Sequence, residues 1–134
     1  MGLLVVDTNS LIQSLPHRSK YHDLWLSFFD GRNTMCVSNE ILEEYEEILE
    51  RKTSHELASN VIKAILNNPY TLLVSPYFRF DLIKSDPDDN KFVDCAVASN
   101  ARLIVTQDKH FEVLKYVDFP IVEIISLNKM MEIL

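Results

Sequence analysis

Leu3-Leu4-Val5-Val6-Asp7-Thr8-Asn9 is the stretch that decides the fold. Four consecutive apolar residues with no polar alternation describe a strand covered on both faces, as in the middle of a parallel sheet. Asp7 then stands at the strand's carboxyl end. In open α/β sheets that edge is where ligands bind, because the chain leaves each strand there and a crevice opens. Taken alone, the stretch is explained more simply by an Asp that caps the next helix or makes a turn. The other acids that reach the same edge therefore decide what Asp7 is for.

Leu103-Ile104-Val105-Thr106-Gln107-Asp108 repeats the theme, an apolar strand ending in a small hydroxyl residue and an acid. Between the two lie further apolar strands at Thr34 to Val37 and Thr71 to Val74, and a fifth follows at Ile121 to Ile125 after Pro120. Helical spacing of apolar residues fills the gaps. Lys20 to Phe29, Asn39 to Arg51 and Ser54 to Leu66 read as amphipathic helices, Ser10 to Leu15 as a short helix or a loop stopped by Pro16, Phe111 to Val117 as a short helix, and Ser126 to Leu134 as a closing helix. Strands alternating with helices predict an α/β fold, a three-layer sandwich around a mainly parallel five-stranded sheet. The length fits one domain spanning 1–134.

Composition narrows the function. An apolar share of 47% with 25% charged residues is that of an ordinary globular chain. The net charge of -7 argues against a broad basic surface for nucleic acid but leaves room for acids that hold a cation against a phosphate. Cys36 and Cys95 in apolar contexts suggest free thiols in a reducing compartment, and no apolar run is long enough to span a membrane, so a cytoplasmic protein is expected.

Which acids reach the edge follows from helix geometry. In the helix from Asn39, the stripe Ile41, Leu42, Tyr45, Ile48 and Leu49 points inward. At about 100° per residue Glu44 lies on one flank and Glu46 on the other, while Glu40, Glu43, Glu47 and Glu50 turn to water; Glu44 is the better placed to reach a neighbouring strand end. Asp86-Pro87-Asp88-Asp89-Asn90-Lys91-Phe92-Val93-Asp94 opens a helix that packs through Phe92, Val93, Ala96 and Val97. Asp89 shares the side of Phe92 and Ala96 and faces the sheet, whereas Asp94 projects elsewhere. The macrodipole accounts for one or two acids at a helix start, less well for four in nine residues. Tyr77, Phe78 and Phe80, interleaved with Arg79, suit base stacking, but packing of the connection onto the core is the commoner use.

Asp7, Glu44, Asp89 and Asp108 thus converge on one end of the sheet. Clustered carboxylates repel, and a hard divalent ion with oxygen ligands, Mg²⁺ or Mn²⁺, relieves them. Phosphodiester hydrolysis is the chemistry that follows. No serine stands in a nucleophile-elbow context, no cysteine has an evident base, and the four histidines are scattered along the chain.

The same residues carry a family resemblance. Val5-Val6-Asp7-Thr8-Asn9, Ser38 with Glu44 six residues on, Asp86-Pro87-Asp88-Asp89-Asn90-Lys91-Phe92, and Ile104-Val105-Thr106-Gln107-Asp108-Lys109-His110-Phe111 resemble, in order and spacing, the motifs of PIN domains. The similarity is greatest to the bacterial toxin branch related to VapC ribonucleases. It implies a metal-dependent ribonuclease with Asp7, Glu44, Asp89 and Asp108 as acidic ligands and Asn9 and Thr106 as supporting polar groups. It also implies an antitoxin partner and a homodimer. One departure stands out. Counting back sixteen residues from Thr106, where VapC-like sequences place the third acid, lands on Asn90, so the ligand role is assigned to Asp89 with Asn90 beside it and Asp94 assisting or facing solvent. A response-regulator receiver is disfavoured, because Val74 leads into Ser75-Pro76 and Ile125 into Ser126; a haloacid-dehalogenase-type phosphatase is disfavoured by Asn9. The competing expectation is a PIN-fold module that binds RNA or protein without cutting.

Overall fold

A computed structural model describes residues 2–101 and 103–134. Five parallel strands, β1 (Gly2–Val6), β2 (Asn33–Val37), β3 (Thr71–Leu73), β4 (Leu103–Val105) and β5 (Glu123–Ile125), form one sheet in the order β3-β2-β1-β4-β5. The apolar opening run is the central strand, as its lack of alternation requires: Leu4, Val5 and Val6 are buried.

The connections explain the layers. Helices α1 (Thr8–Ser14), α2 (His22–Ser27), α3 (Asn39–Lys52) and α4 (His55–Asn67) carry the chain from β1 through β2 to β3, in one direction across the sheet. Helix α5 (Asn90–Ser99) carries it back past β1 to β4, and right-handed crossovers running in opposite directions lie on opposite faces. The order therefore reverses between β1 and β4, and their carboxyl ends bound the crevice. Helix α6 (Leu127–Ile133) closes the chain.

Caps set the helix starts. Ser38, Ser54 and Ser126 each accept a backbone N–H of the following turn, at Ile41, Leu57 and Lys129. Asn100 ends α5 in the left-handed conformation at φ 60°. Gly31, at φ 85°, has a backbone that favours glycine, and a Cβ there would come within 3.1 Å of the Tyr70 ring.

Three expectations change. The segment after β4 is a 3-10 helix over Lys109–Tyr116, and Pro87–Asp89 is a 3-10 turn that feeds α5, so the acid-rich start is wound more tightly than an α-helix. The helix read over Lys20 to Phe29 is shortened to His22–Ser27, with Leu24 and Phe28 buried but Phe29 exposed. Tyr77 and Phe78 do not pack on the core; they are 93% and 73% exposed. Apolar periodicity reports burial only inside a regular element, and 74–86 is irregular. Among the described residues no helix is long and apolar enough to cross a membrane. Both cysteines are free and buried.

Candidate active site

The crevice between β1 and β4 is built by two short tails. The Asp7 backbone N–H donates to Val105 carbonyl oxygen at 3.0 Å, extending the β1–β4 ladder by one step and setting Asp7 beside Thr106. Thr106, buried, donates its hydroxyl to Asp7 Oδ2 at 2.8 Å and accepts the Asp108 backbone N–H at 3.0 Å. One hydroxyl thus orients Asp7 and turns the chain so that Asp108 arrives at the same place. Asp7 does occupy the N-cap position of α1, yet its Oδ2 is engaged by Thr106. With Asn9, Gln13, Lys52 and Gln107, Asp7 and Asp108 line an open cleft. Lys52 Nζ reaches Asn9 Oδ1 at 3.3 Å, bringing a cation to the cleft wall.

Burial makes Asp7 and Asp89 reluctant to ionise. Asp7 is raised to about 6, mainly by burial, further by the charges of Asp108 and Glu44, against the hydrogen bonds from Thr106 and the Thr8 backbone. Asp89, only 8% exposed on the 3-10 turn before α5, is raised to about 7 by burial and by the fields of Asp7, Asp86 and Asp108. Its Oδ2 is buried with no hydrogen-bond partner. His110 Nδ1, 3.5 Å away, moderates the rise.

Glu44 is the one glutamate of α3 that is not fully exposed, apart from which the helix turns Glu40, Glu43, Glu46, Glu47 and Glu50 to solvent. Its carboxylate is already engaged: Lys91 Nζ donates to Oε1 at 2.8 Å and the Thr8 hydroxyl donates to Oε2. Glu44 and Lys91 line a separate depression with Glu40, Glu47 and Asp88. So the four acids gather at one edge and feel one another's charge without collapsing into one tight group. Among the described residues, the group whose ligand atoms all lie within 4.8 Å of one another is Asp86, Asp89 and His110.

Two supporting assignments are corrected. Asn90 is not turned toward the cleft; its side chain accepts the Ile83 N–H at 2.9 Å and donates to the carbonyl oxygens of Ile83 and Pro87 at 2.9 and 3.1 Å. It clamps the connection onto the start of α5. Asp94 neither faces solvent nor the cleft: it is buried and accepts the Phe80 N–H at 3.1 Å, and burial raises its carboxyl above the usual range. Sequence reasoning passed over Asp86, Lys91 and His110. The signal for the last was its place two residues after a strand-end acid, where an N-cap turns the chain back: Asp108 Oδ1 accepts the His110 N–H at 2.9 Å.

Residues 3–110 match the sequence profile of the PIN domain. The chain belongs to the PIN-domain family. Solved structures with the same fold include VapBC2 from Rickettsia felis bound to a DNA fragment from their promoter, at 17% identity and a TM-score of 0.64, covering 92% of this chain and 98% of that one. DNA-bound VapBC from Salmonella typhimurium gives 17% and 0.64 over 95% and 99% of the two chains. VapBC-1 from nontypeable Haemophilus influenzae gives 16% and 0.62 over 95% and 99%. No curated protein sequence matches the chain. In this PIN domain the order of strands reverses between β1 and β4, and Asp7 and Asp108 follow the carboxyl ends of those two strands.

Proposed function

We propose that this PIN domain is a divalent-metal-dependent endoribonuclease that hydrolyses RNA phosphodiester bonds, the toxin of a toxin–antitoxin pair. The observation that carries the reading is Asp89 Oδ2, a buried carboxylate oxygen without a donor, set within the fields of Asp7, Asp86 and Asp108. A cation meeting this oxygen would supply its missing partner and relieve the repulsion around it.

The donor set fits a hard dication. Asp7, raised by burial and neighbouring charge, lines with Asp108 an open cleft that water and phosphate can enter, and carboxylates are the oxygen ligands that Mg²⁺ or Mn²⁺ takes. Asp7, Asp89 and Asp108 would hold it, with Glu44 beside them already paired to Lys91. When bound, such an ion lowers the pKa of a water and stabilises charge on the phosphate oxygens. The chain's own residues do the positioning. Thr106 fixes the rotamer of Asp7 through its hydroxyl, Lys91 holds Glu44, and Lys52 with Asn9 presents donors on the cleft wall where a phosphate backbone of RNA would lie. An antitoxin partner is supported by the fold shared with VapBC complexes, and an interface, with a partner or a second copy, by the exposed side chains of Tyr77, Phe78, Tyr116, Phe119 and Ile121. A cytoplasmic location accords with the two free cysteines.

A second reading, a PIN-fold module that binds RNA or protein without cutting, draws on the Lys91–Glu44 pair, which already neutralises one of the four acids. Cleavage of a mixed-sequence single-stranded RNA in Mn²⁺, Mg²⁺ or EDTA separates the two. The nuclease predicts metal-dependent cutting by the wild type that EDTA stops. A folded, metal-binding protein that cuts no RNA over a broad sequence range overturns it in favour of the binding module.

A further inference from the structure

His110 stands at the rim of the acid cluster, two residues past Asp108. Its backbone N–H is held by Asp108 Oδ1 at 2.9 Å, which fixes the first turn of the 3-10 segment and brings the imidazole back over the site. Nδ1 then lies 3.2 Å from Asp108 Oδ1, 3.5 Å from Asp89 Oδ2 and 3.8 Å from Asp86 Oδ2. Two donors that share an ion at about 2.1 Å each stand about 3.0 to 3.5 Å apart, as the angle opens from square to tetrahedral. The imidazole and the carboxylates are therefore spaced as a shared ion would space them, with Asp86 a fraction of an ångström outside. Ligand atoms of Asp86, Asp89 and His110 fall within 4.8 Å of one another. The unpartnered oxygen of Asp89, a residue 92% removed from solvent by its 8% exposure, supplies the independent sign of a missing ligand.

We propose that Asp86, Asp89 and His110 form a mixed oxygen–nitrogen site for a transition-metal dication, with His110 Nδ1 as a direct ligand. The proposal deepens the nuclease reading and rests on it for a role in cleavage. Its consequence is selectivity. Carboxylates alone suit Mg²⁺, whereas an imidazole ligand favours Mn²⁺ and the ions beyond it in the first row. A site of this kind prefers Mn²⁺ to Mg²⁺, which the all-carboxylate set of Asp7, Glu44, Asp89 and Asp108 does not.

Mn²⁺ itself is the probe. With the whole chain and one equivalent of Mn²⁺, pulsed electron paramagnetic resonance should show ¹⁴N modulation, and calorimetry should show tighter binding of Mn²⁺ than of Mg²⁺. His110→Ala should remove the ¹⁴N signal and weaken Mn²⁺ binding by about 10- to 100-fold, at least what losing an outer-shell partner costs, with Mg²⁺ binding little changed. The imidazole is 42% exposed, so truncation empties no core, and His110→Gln with a circular-dichroism check covers a variant that folds poorly. Absence of ¹⁴N modulation from bound Mn²⁺, no Mn²⁺ binding, or a signal that survives both substitutions overturns the proposal; in the last case His110 is only a counter-charge. RNA cleavage on the same preparations separates the two claims. Nitrogen coupling without cleavage keeps the site and sinks the nuclease, and Mg²⁺-supported cleavage without nitrogen coupling does the reverse.

Discussion

Glu44 and Asp89 sit at the same edge of one sheet, and their surroundings treat them in opposite ways. Glu44 receives a lysine ammonium and a threonine hydroxyl from its own chain, so both of its oxygens are satisfied. Asp89 is more deeply buried, faces like charges and keeps one oxygen without a donor. The difference teaches where an external cation belongs. A carboxylate matched by an internal cation contributes orientation and a share of the folding energy, whereas one left unmatched stores a cost that binding relieves. Thr8, the first residue of α1, hydrogen-bonds Glu44, while the charge of Asp7 beside it acts on Asp89.

Breaking the unmatched side should have the largest effect. Asp7→Asn or Asp89→Asn is predicted to lower metal-dependent RNA cleavage by ~10³-fold or more, the loss expected when several kcal/mol of charge stabilisation goes. Single-turnover assays at saturating Mn²⁺ check it, and a variant that cuts at the wild-type rate removes that residue from the site. Next in size is Asn90→Asp, which places an acid at the VapC-like register. Because the amide clamps Ile83 and Pro87, the change should destabilise the fold by about 3 kcal/mol, through unpaired carbonyls and a buried charge, and add no metal affinity. Urea unfolding with a Mn²⁺ titration measures both; tighter metal binding would show that the side chain turns into the cleft.

The pH dependence is smaller and has a definite sign. Asp7 and Asp89 titrate at about 6 and about 7 when folded, above the ordinary 3.8, so between about pH 4 and pH 7 the folded metal-free protein holds more protons than the unfolded chain. Stability in EDTA therefore falls as pH rises through this window and levels off above it, by about 2 to 3 kcal/mol for Asp7 alone. Asp7→Asn should flatten the slope and stabilise the apo protein near pH 8. A wild type that gains stability from pH 5.5 to pH 8 would mean these acids ionise freely. Smallest is the matched side. Lys91→Met breaks a pair whose side chains are 16% and 20% exposed and should cost about 1 kcal/mol, while freeing Glu44 to tighten metal binding. Unchanged Mg²⁺ affinity would show that Glu44 takes no part.

The edge itself was legible because strand and helix periodicity report direction. A run of apolar residues ending in an acid places Asp7 and Asp108, and steps of about 100° single out Glu44 among six glutamates. Asp89 followed from sharing a face with Phe92, although the turn that carries it is 3-10. What escaped depends on irregular chain. Asn90 is claimed by Ile83, in a connection with no period to read, and Asp94 by the Phe80 N–H in the same connection. Lys91 reaches Glu44 across 47 residues of sequence, and a flexible four-carbon stem leaves no trace in spacing. His110 escaped for a different reason, its position after Asp108 being the one signal it left. A turn pinned by a cap folds it back onto acids that sequence places on another element.

The central claim is that an external cation completes the Asp7–Asp89–Asp108 edge while Glu44 is completed from within. Thermal melting of wild type, Asp89→Asn and Lys91→Met across a millimolar range of Mg²⁺ and Mn²⁺ tests it most directly, since a ligand that binds only the folded state raises Tm. The account predicts a metal-dependent rise in Tm for the wild type, retained or enlarged in Lys91→Met and lost in Asp89→Asn. An equal rise in all three proteins, or none in the wild type, would contradict it.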